Sequence, residues 1–220
     1  MDIGIQSAVR EAVLNPLPIS WLGRADMPPP LPAWASIDKL TNTQIGNLQA
    51  QLGYEQSSWD YSLIGPDNQL GRYQFTPALL ESYGILASGS NSSYGTDCVN
   101  YATCWRPVTI RKSTNSYANY IYDADSLNSF ISHTTGQEHL AYQVIYDLYN
   151  NLVQNEGIVD TDSAEVICGM ISVAWYLGAG SAPTSTVLTG TGAYAWRYFN
   201  IGNGSSHYNS GRYSVAVLSQ

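Results

Sequence analysis

The chain has 220 residues, of which 44% are hydrophobic and only 12% charged, and its formal net charge is −8. A chain of this length can bury the core of one sizeable domain. Because a phosphate backbone is bound by releasing counterions to clusters of Lys and Arg, and the chain has no such cluster, we exclude nucleic acid as its main partner. Its 17 Tyr and 6 Trp suit contact with sugars, whose C–H faces stack on aromatic rings, and equally suit packing against other proteins.

Residues 1–35 are predicted to form an extension. A short amphipathic stretch is followed by a segment that contains Pro16, Pro18, Pro28, Pro29, Pro30 and Pro32. Proline removes backbone donors and favours extended conformations, so this segment is either a strap on its own domain or an arm that docks a partner. The N-terminus lacks the basic start and apolar run of a secretory signal. No stretch has the roughly 18 consecutive apolar residues of a membrane span.

A helix is predicted from Thr43. Ile45, Leu48 and Leu52 have the i, i+3, i+7 spacing of one helix face. Three residues further on, Glu55 falls on that same face. The sequence therefore places a carboxyl group at the end of an apolar stripe, close to the point where the helix should stop.

The rest of the chain yields further predicted elements. They are a turn at Gly65–Asn68, a helix from Thr76-Pro77 to Tyr83, long loops with a hairpin over residues 88–119, a short helix at Asp125–Ile131, a helix at Gln137–Asn155, a capping box at Asp162–Glu165, and a buried helix at Val166–Leu177. No element is predicted in the Gly-, Ser- and Tyr-rich tail from Thr184 onward.

The cysteines and histidines do not suggest a metal or thiol site. With three cysteines, no complete disulfide framework is available, so Cys98 and Cys104 either pair or are free thiols, and Cys168 is predicted to lie in the core. The three histidines, combined with these cysteines, lack any recognised zinc spacing, and we predict neither a metal nor a cofactor. These histidines are His133, His139 and His207.

Glu55 is the main candidate for chemistry. Hydrolysis of a glycosidic bond needs a carboxylic acid that stays protonated near neutral pH and donates to the leaving oxygen. Burial against apolar surface raises the pKa of a glutamate, and the position of Glu55 on the apolar helix face suits it to that role. A glutamate near a helix end can also be a solvated residue or a capping partner.

Several blocks around Glu55 resemble the lysozyme-like lytic transglycosylase superfamily, and in particular the tail-associated peptidoglycan hydrolases of bacteriophages. The first block is Leu52-Gly-Tyr-Glu55-Gln-Ser-Ser-Trp-Asp-Tyr61, followed 16 positions after Glu55 by Gly71-Arg-Tyr73-Gln74-Phe75. The other blocks, in order, are Asp125–Phe130 with Gln137-Glu138, Ile167–Gly180, and the pair Tyr198-Phe199-Asn200 and Gly211-Arg212-Tyr213. The resemblance covers about residues 40–215.

The resemblance implies an α+β, predominantly helical, lysozyme-like catalytic domain over residues 36–220, after the extension. It makes Glu55 the general acid and then the base. Tyr73 and Gln74 would line the cleft and position the sugar N-acetyl group or the acid, with Gly71 and Asp67 also binding substrate. From its residue type alone, Tyr73 is equally a core aromatic.

The chain departs from this family in two places. Gln56 stands where the family has Ser after the acid, and Ser57 and Ser58 stand where it has two glycines. Asn68 is the nearest candidate for an Asn that the family often has between the two motifs. These changes point either to an altered substrate preference or to a site that binds without cleaving.

The sequence leaves two alternatives for the group that acts together with Glu55 in the reaction. A partner carboxylate would come from Asp60 or Asp67, although aspartates in turns also serve local hydrogen bonds. The resemblance instead implies a single-Glu mechanism, in which the substrate's own acetamido group or 6-hydroxyl completes the reaction.

The function expected from the sequence is cleavage of the β-1,4 bond between N-acetylmuramic acid and N-acetylglucosamine in bacterial peptidoglycan. The protein would be made in the host cytoplasm and carried to the cell wall in a phage tail or baseplate, with residues 1–35 docking to other tail proteins. One alternative is a virion structural or glycan-binding protein that keeps the fold without the chemistry. Another is an endolysin.

Overall fold

A computed structural model describes residues 17–18, 37–106, 124–154, 157–177 and 205–219. This part of the chain is predominantly helical. The α-helices, in chain order, are α1 (Asn42–Ser57), α2 (Pro77–Ser82), α3 (Ser90–Tyr94), α4 (Leu127–Ser132), α5 (Thr134–Gln154), α6 (Ala164–Leu177) and α7 (Ser205–Ala216). Two 3₁₀ helices span Gly95–Asn100 and Ala102–Cys104. Extended pairing in these residues is confined to isolated bridges, such as Leu70 with Phe75 and Leu86 with Trp105.

The chain forms two compact units. The first takes in the described residues of Met1–Glu55 and Val144–Gln220, and the second those of Gln56–Gln143. Within the described ranges, every helix is too short or too polar to cross a lipid bilayer.

The predicted helices are largely confirmed. Ile45, Leu48 and Leu52 of α1 are fully buried, as the i, i+3, i+7 pattern indicates. Thr76 accepts a hydrogen bond from the Leu79 N–H and caps α2, whose first residue is a proline. The helices predicted at Asp125–Ile131, Gln137–Asn155 and Val166–Leu177 correspond to α4, α5 and α6.

Two local predictions were wrong. The cap of α6 is Ser163, whose hydroxyl accepts from the Val166 N–H at 3.4 Å, while Asp162 accepts from the Val159 N–H at 2.8 Å. The segment predicted as loops over residues 88–119 contains α3 and both 3₁₀ helices within residues 90–104, and a hairpin in residues 107–119 would lie outside the described residues. Serine and asparagine carry little hydrophobic periodicity, so the pattern did not indicate these short helices.

Helices α6 and α7 pack closely in the first unit because glycine stands at two contact positions. A Cβ on Gly211 of α7 would overlap the backbone of Cys168 in α6, and a Cβ on Gly169 of α6 would lie 2.6 Å from the Tyr208 ring Cδ2. Cys168 is fully buried, and burial raises the pKa of its thiol to about 12. The prediction that Cys168 is a core residue is confirmed.

We expect Gly211→Ala to lower the free energy of unfolding by about 1–3 kcal/mol, because the methyl group must push two backbones apart. Gly46→Ala is the matched control. A Cβ at Gly46 meets no atom within 4 Å, so alanine there should stabilise α1 by about 0.5–1 kcal/mol. Urea unfolding of both variants measures the two effects, and a stabilised Gly211→Ala would contradict this packing.

The second unit has an aromatic core. Phe130 packs edge-on against Phe75 with ring centroids 6.3 Å apart, and its ring also lies 5.8 Å from that of Trp105. The Trp105 indole N–H donates to the Val99 carbonyl at 2.9 Å, which satisfies the one polar group of this buried side chain. Cys98 and Cys104 are buried free thiols in the same unit.

Candidate functional site

Glu55 lies near the C-terminal end of α1, where side chains from α6 and α7 surround its carboxyl group. Tyr176 of α6 donates its hydroxyl to Oε2 at 2.8 Å. Gln51 Nε2 donates to Oε1 at 2.8 Å, and the Ser210 hydroxyl of α7 donates to the same oxygen. Three neutral donors therefore hold this carboxyl in one orientation.

The position of Gln51 follows from helix geometry. It precedes Glu55 by one turn of α1, so the two side chains are neighbours on the helix surface. Gln51 Oε1 accepts the Leu17 N–H at 2.9 Å, so its nitrogen is the end that faces Glu55. The Leu17 carbonyl in turn accepts from the Tyr213 hydroxyl at 2.6 Å. At Leu17, the chain is thus held to its own unit and orients a partner of Glu55.

The surroundings of Glu55 favour its protonated form. Burial raises the pKa of the Glu55 carboxyl, and the hydrogen bonds from Ser210, Tyr176 and Gln51 lower it by less. Among the described residues, no cationic side chain forms an ion pair with this carboxyl. The result is a glutamate that keeps its proton to a higher pH than a solvated one does.

Ser210 is suited to both protonation states of Glu55. Its Oγ also lies 3.0 Å from the Ser206 carbonyl oxygen, so the single hydroxyl proton has two acceptors within reach. When Glu55 is ionised, Ser210 donates to it. When Glu55 is protonated, Ser210 can donate to Ser206 and accept the carboxyl proton. Ser210 can therefore meet either protonation state of Glu55 by rotating its hydroxyl.

His207 packs against the aromatic side of the cluster. Its ring stacks on Tyr176 with centroids 3.7 Å apart and an angle of 15° between planes. Burial lowers the pKa of His207, which favours the neutral imidazole. The stack holds the Tyr176 ring in place, and so positions the hydroxyl that donates a hydrogen bond to Glu55.

We expect the Glu55 carboxyl to titrate above the ordinary value of 4.5. Ser210→Ala should raise its pKa further, because the variant removes a hydrogen bond that favours the charged form. Carbon-13 NMR of the side-chain carboxyls between about pH 3 and pH 8 measures both values. The Glu55 signal is the one missing from Glu55→Gln.

Stability provides a second readout of the same titration. Because the folded-state pKa is raised, the stability that this group contributes is fully present below its unfolded pKa. This stability is lost as the pH rises through the pKa of Glu55 in the folded state. Glu55→Gln should lack this decline in urea unfolding. A Glu55 signal that titrates at or below 4.5 would show that burial does not control this carboxyl.

A second polar cluster lies in the second unit around Arg72, which is fully buried. Arg72 Nη1 lies 3.4 Å from Glu138 Oε1 and donates to the Tyr61 hydroxyl at 2.7 Å. Tyr61 and Tyr73 donate to the two Glu138 oxygens at 2.7 and 2.5 Å. The Arg72 guanidinium also lies 4.9 Å from the centre of the Trp59 ring. This Arg72 cluster pairs one buried charge with its counterion.

Burial sets the protonation of the Arg72 cluster. It raises the pKa of Glu138, an effect opposed by Arg72 and by the two phenols. It also raises the pKa values of Tyr73 and Tyr61, to which the negative charge of Glu138 adds. Both phenols therefore remain protonated donors at neutral pH.

The four residues predicted to bind substrate all belong to the second unit. Tyr73 is 1% exposed and is a member of the Arg72 cluster. Gly71 has φ +74°, and a Cβ there would overlap the Gln137 amide, so only glycine fits. Gln74 is half-buried and donates to the Gly71 carbonyl at 2.8 Å. Asp67 is exposed in the predicted turn, which the bond from the Asn68 N–H to the Gly65 carbonyl closes at 3.0 Å. Their roles toward substrate stay predictions.

The turn after Glu55 has two residues in the left-handed region of backbone conformation that favours glycine, although neither is glycine. Ser58, at a position where the resembled family has Gly, has φ +52°, and Trp59 follows with φ +71°. Such values are rare for bulky residues and signal backbone strain. Asp60 accepts from both the N–H and the hydroxyl of Ser62, at 2.8 and 2.7 Å, which is the local role expected of a turn aspartate.

The sequence did not indicate Tyr176 and Ser210 as partners of Glu55, or His207 as the residue that stacks on Tyr176. They come from α6 and α7, more than 120 positions away in the chain. Gln51 could have been found, since i, i+4 spacing on α1 places it beside Glu55. Tyr176 and Ser210 lie within or next to blocks that carry the family resemblance, but the residue pattern does not say which of their neighbours they meet.

Among the described residues, no group of three or more His, Cys, Asp or Glu side chains is placed to hold a metal ion. Comparison of the chain with protein-family models, with curated proteins and with solved structures finds no match.

Proposed function

We propose that the protein cleaves the glycan strands of bacterial peptidoglycan at the β-1,4 bond between N-acetylmuramic acid and N-acetylglucosamine, with Glu55 as the proton-transferring carboxyl. The observation that carries the proposal is the state of this side chain. It is half-buried at the end of an apolar helix stripe, three neutral donors orient it, and burial raises its pKa. A carboxyl in this state suits general acid catalysis near neutral pH.

The proposed reaction uses one carboxyl twice. Glu55 donates its proton to the leaving glycosidic oxygen, and the acetamido group or 6-hydroxyl of the muramic residue supplies electrons to the anomeric carbon. The resulting carboxylate then accepts a proton from the group that ends on the anomeric carbon. This group is the 6-hydroxyl, or a water that displaces the acetamido oxygen where that oxygen has bonded to the carbon. Ser210 follows these changes by rotating its hydroxyl between Glu55 and the Ser206 carbonyl.

We also propose that the domain has a lysozyme-like fold. A lysozyme-like domain accounts for a helix that carries the acid in its last turn, followed by a Gly-Arg-Tyr-Gln-Phe segment. It also fits the predominantly helical character of the described residues. The proposed setting is a phage tail or baseplate that carries the protein to the wall. Residues 1–35 would make the contact with neighbouring virion proteins.

A second candidate is a virion protein that binds glycan without cutting it. One observation favours it: both oxygens of Glu55 already accept hydrogen bonds from protein side chains. A buried carboxyl that the fold satisfies in this way also works as a purely structural group.

Mass spectrometry of purified sacculi incubated with the full chain tests the proposal. We expect shortened glycan strands with new muramic ends. A reducing end identifies hydrolysis, and an anhydro end, lighter by one water, identifies transglycosylation. Retention of the protein on sacculi without new ends would favour the second candidate. Cleavage confined to the peptide stems would overturn both.

A further inference from the structure

An open groove in the second unit is lined by small polar residues. Its volume is about 430 Å³, within the range of small-molecule sites. Six residues line it: Ala78, Glu81, Ser82, Ser88, Asn91 and Ser92. Glu81 is the one charged side chain among them.

Glu81 gives the groove a fixed wall. Its two carboxylate oxygens accept the Gly89 and Asn91 N–H groups, each at 2.7 Å. These bonds lower the pKa of Glu81, that from Asn91 contributing most. Gly89 has φ +84°, so the chain turns sharply into α3 at this point. The wall is therefore organised before any ligand arrives.

The groove offers mainly hydrogen-bond acceptors. The Ser82 hydroxyl donates to the Leu79 carbonyl at 2.8 Å and the Ser92 hydroxyl to the Gly89 carbonyl at 3.0 Å. A hydroxyl that has used its proton in this way presents its oxygen lone pairs. Together with Glu81, these groups favour a ligand with many O–H or N–H donors.

Helix α3, which carries the groove residues Asn91 and Ser92, ends at Tyr94, whose ring is exposed. Tyr94 and Tyr101 are 49% and 48% exposed, and their ring centroids are 4.8 Å apart. Asn91 and Tyr94 are three positions apart in α3, so they lie on the same side of that helix. A sugar has hydroxyl donors along its edge and flat apolar C–H faces, so it matches a site that combines hydrogen-bond acceptors with aromatic rings.

We propose that this groove and the Tyr94/Tyr101 pair form a saccharide-binding site that holds a neutral glycan chain, with one sugar in the groove and another on the rings. A metal ion fits less well, because the lining holds only one carboxylate, whereas metal ions in proteins are usually held by several ligands. The choice of N-acetylglucosamine oligomers as the probe rests on the proposed function. The binding site itself does not require cleavage.

The test uses the full chain with Glu55→Gln, labelled with nitrogen-15 and titrated with a β-1,4-linked N-acetylglucosamine hexamer. We expect amide shifts at Ser88, Asn91, Tyr94 and Tyr101. Tyr94→Ala should weaken binding by about tenfold or more, whereas Tyr94→Phe, which keeps the ring face, should bind like the parent. Val153→Ala, at an exposed apolar residue of the first unit, is the control for nonspecific loss.

Several outcomes would overturn the site. They are unchanged amides in the groove, equal affinity of Tyr94→Ala and the parent, and the same shifts produced by calcium chloride alone. If Tyr94→Ala unfolds, Asn91→Ala provides the second variant, and it should also lose affinity. The proposed function can fail while the binding site stands. If the protein binds the hexamer at this site but never shortens sacculus glycans, it is not a glycan-cleaving enzyme and the saccharide-binding site remains.

Discussion

Replacing Glu55 by glutamine is expected to lower the rate of sacculus lysis by about 100-fold or more, because the variant has no proton to give to the leaving oxygen. The substitution keeps the size of the side chain, and its amide oxygen can still accept from Tyr176 or Ser210. The fold should therefore survive. Loss of turbidity of purified sacculi measures the rate, and circular dichroism with thermal unfolding measures the fold.

The matched control is Glu165→Gln in α6. Glu165 also belongs to the first unit, but its carboxylate is partly exposed and forms an ion pair with Arg212 at 3.3 Å. Exposed pairs of this kind contribute little, so this variant should lyse sacculi like the parent. Undiminished lysis by Glu55→Gln would remove Glu55 from the mechanism.

Glu138→Ala is expected to destabilise the protein by about 3–5 kcal/mol, since it leaves the Arg72 guanidinium buried without its counterion. Two tyrosine hydroxyls lose their acceptor in the same step. The double variant Arg72→Met/Glu138→Leu removes both charges and should recover much of the loss. Urea unfolding of the parent, Arg72→Met, Glu138→Leu and the double variant forms a cycle that isolates the interaction.

An exposed pair provides the comparison for this cycle. Lys39 Nζ lies 3.6 Å from Asp160 Oδ1, and Asp160 is fully exposed. Lys39→Ala should therefore change the free energy of unfolding by no more than about 1 kcal/mol. If Glu138→Ala costs no more than Lys39→Ala, the Arg72 cluster does not hold the second unit together.

Glu55 was predictable from the sequence because one helix decides its position. The spacing of Ile45, Leu48 and Leu52 sets the buried face of α1, and Glu55 falls on that face by arithmetic alone. The raised pKa follows from the same burial. The other long helices were found for the same reason, since their apolar stripes are local features of the chain.

Helix α7 was missed because its buried positions are mostly small or polar. Ser210, Gly211 and Ser214 are buried beside Tyr213, so no hydrophobic period marks the segment. Close packing against α6 stabilises this helix, and glycine at position 211 permits the approach. The stability of α7 therefore depends on its contact with α6, and the residue pattern of α7 alone does not indicate it.

The sequence alone determined the predominantly helical class, the apolar stripe of α1 and the place of Glu55 on it, because these depend on residues a few positions apart. The tertiary structure decided which side chains meet the carboxyl and that Arg72 and Glu138 are buried together. It also brought the rings of Tyr94 and Tyr101 together, with centroids 4.8 Å apart. The physical reason is chain separation: a hydrogen bond between Glu55 and Tyr176 joins residues 121 positions apart, and only folding brings such groups within reach.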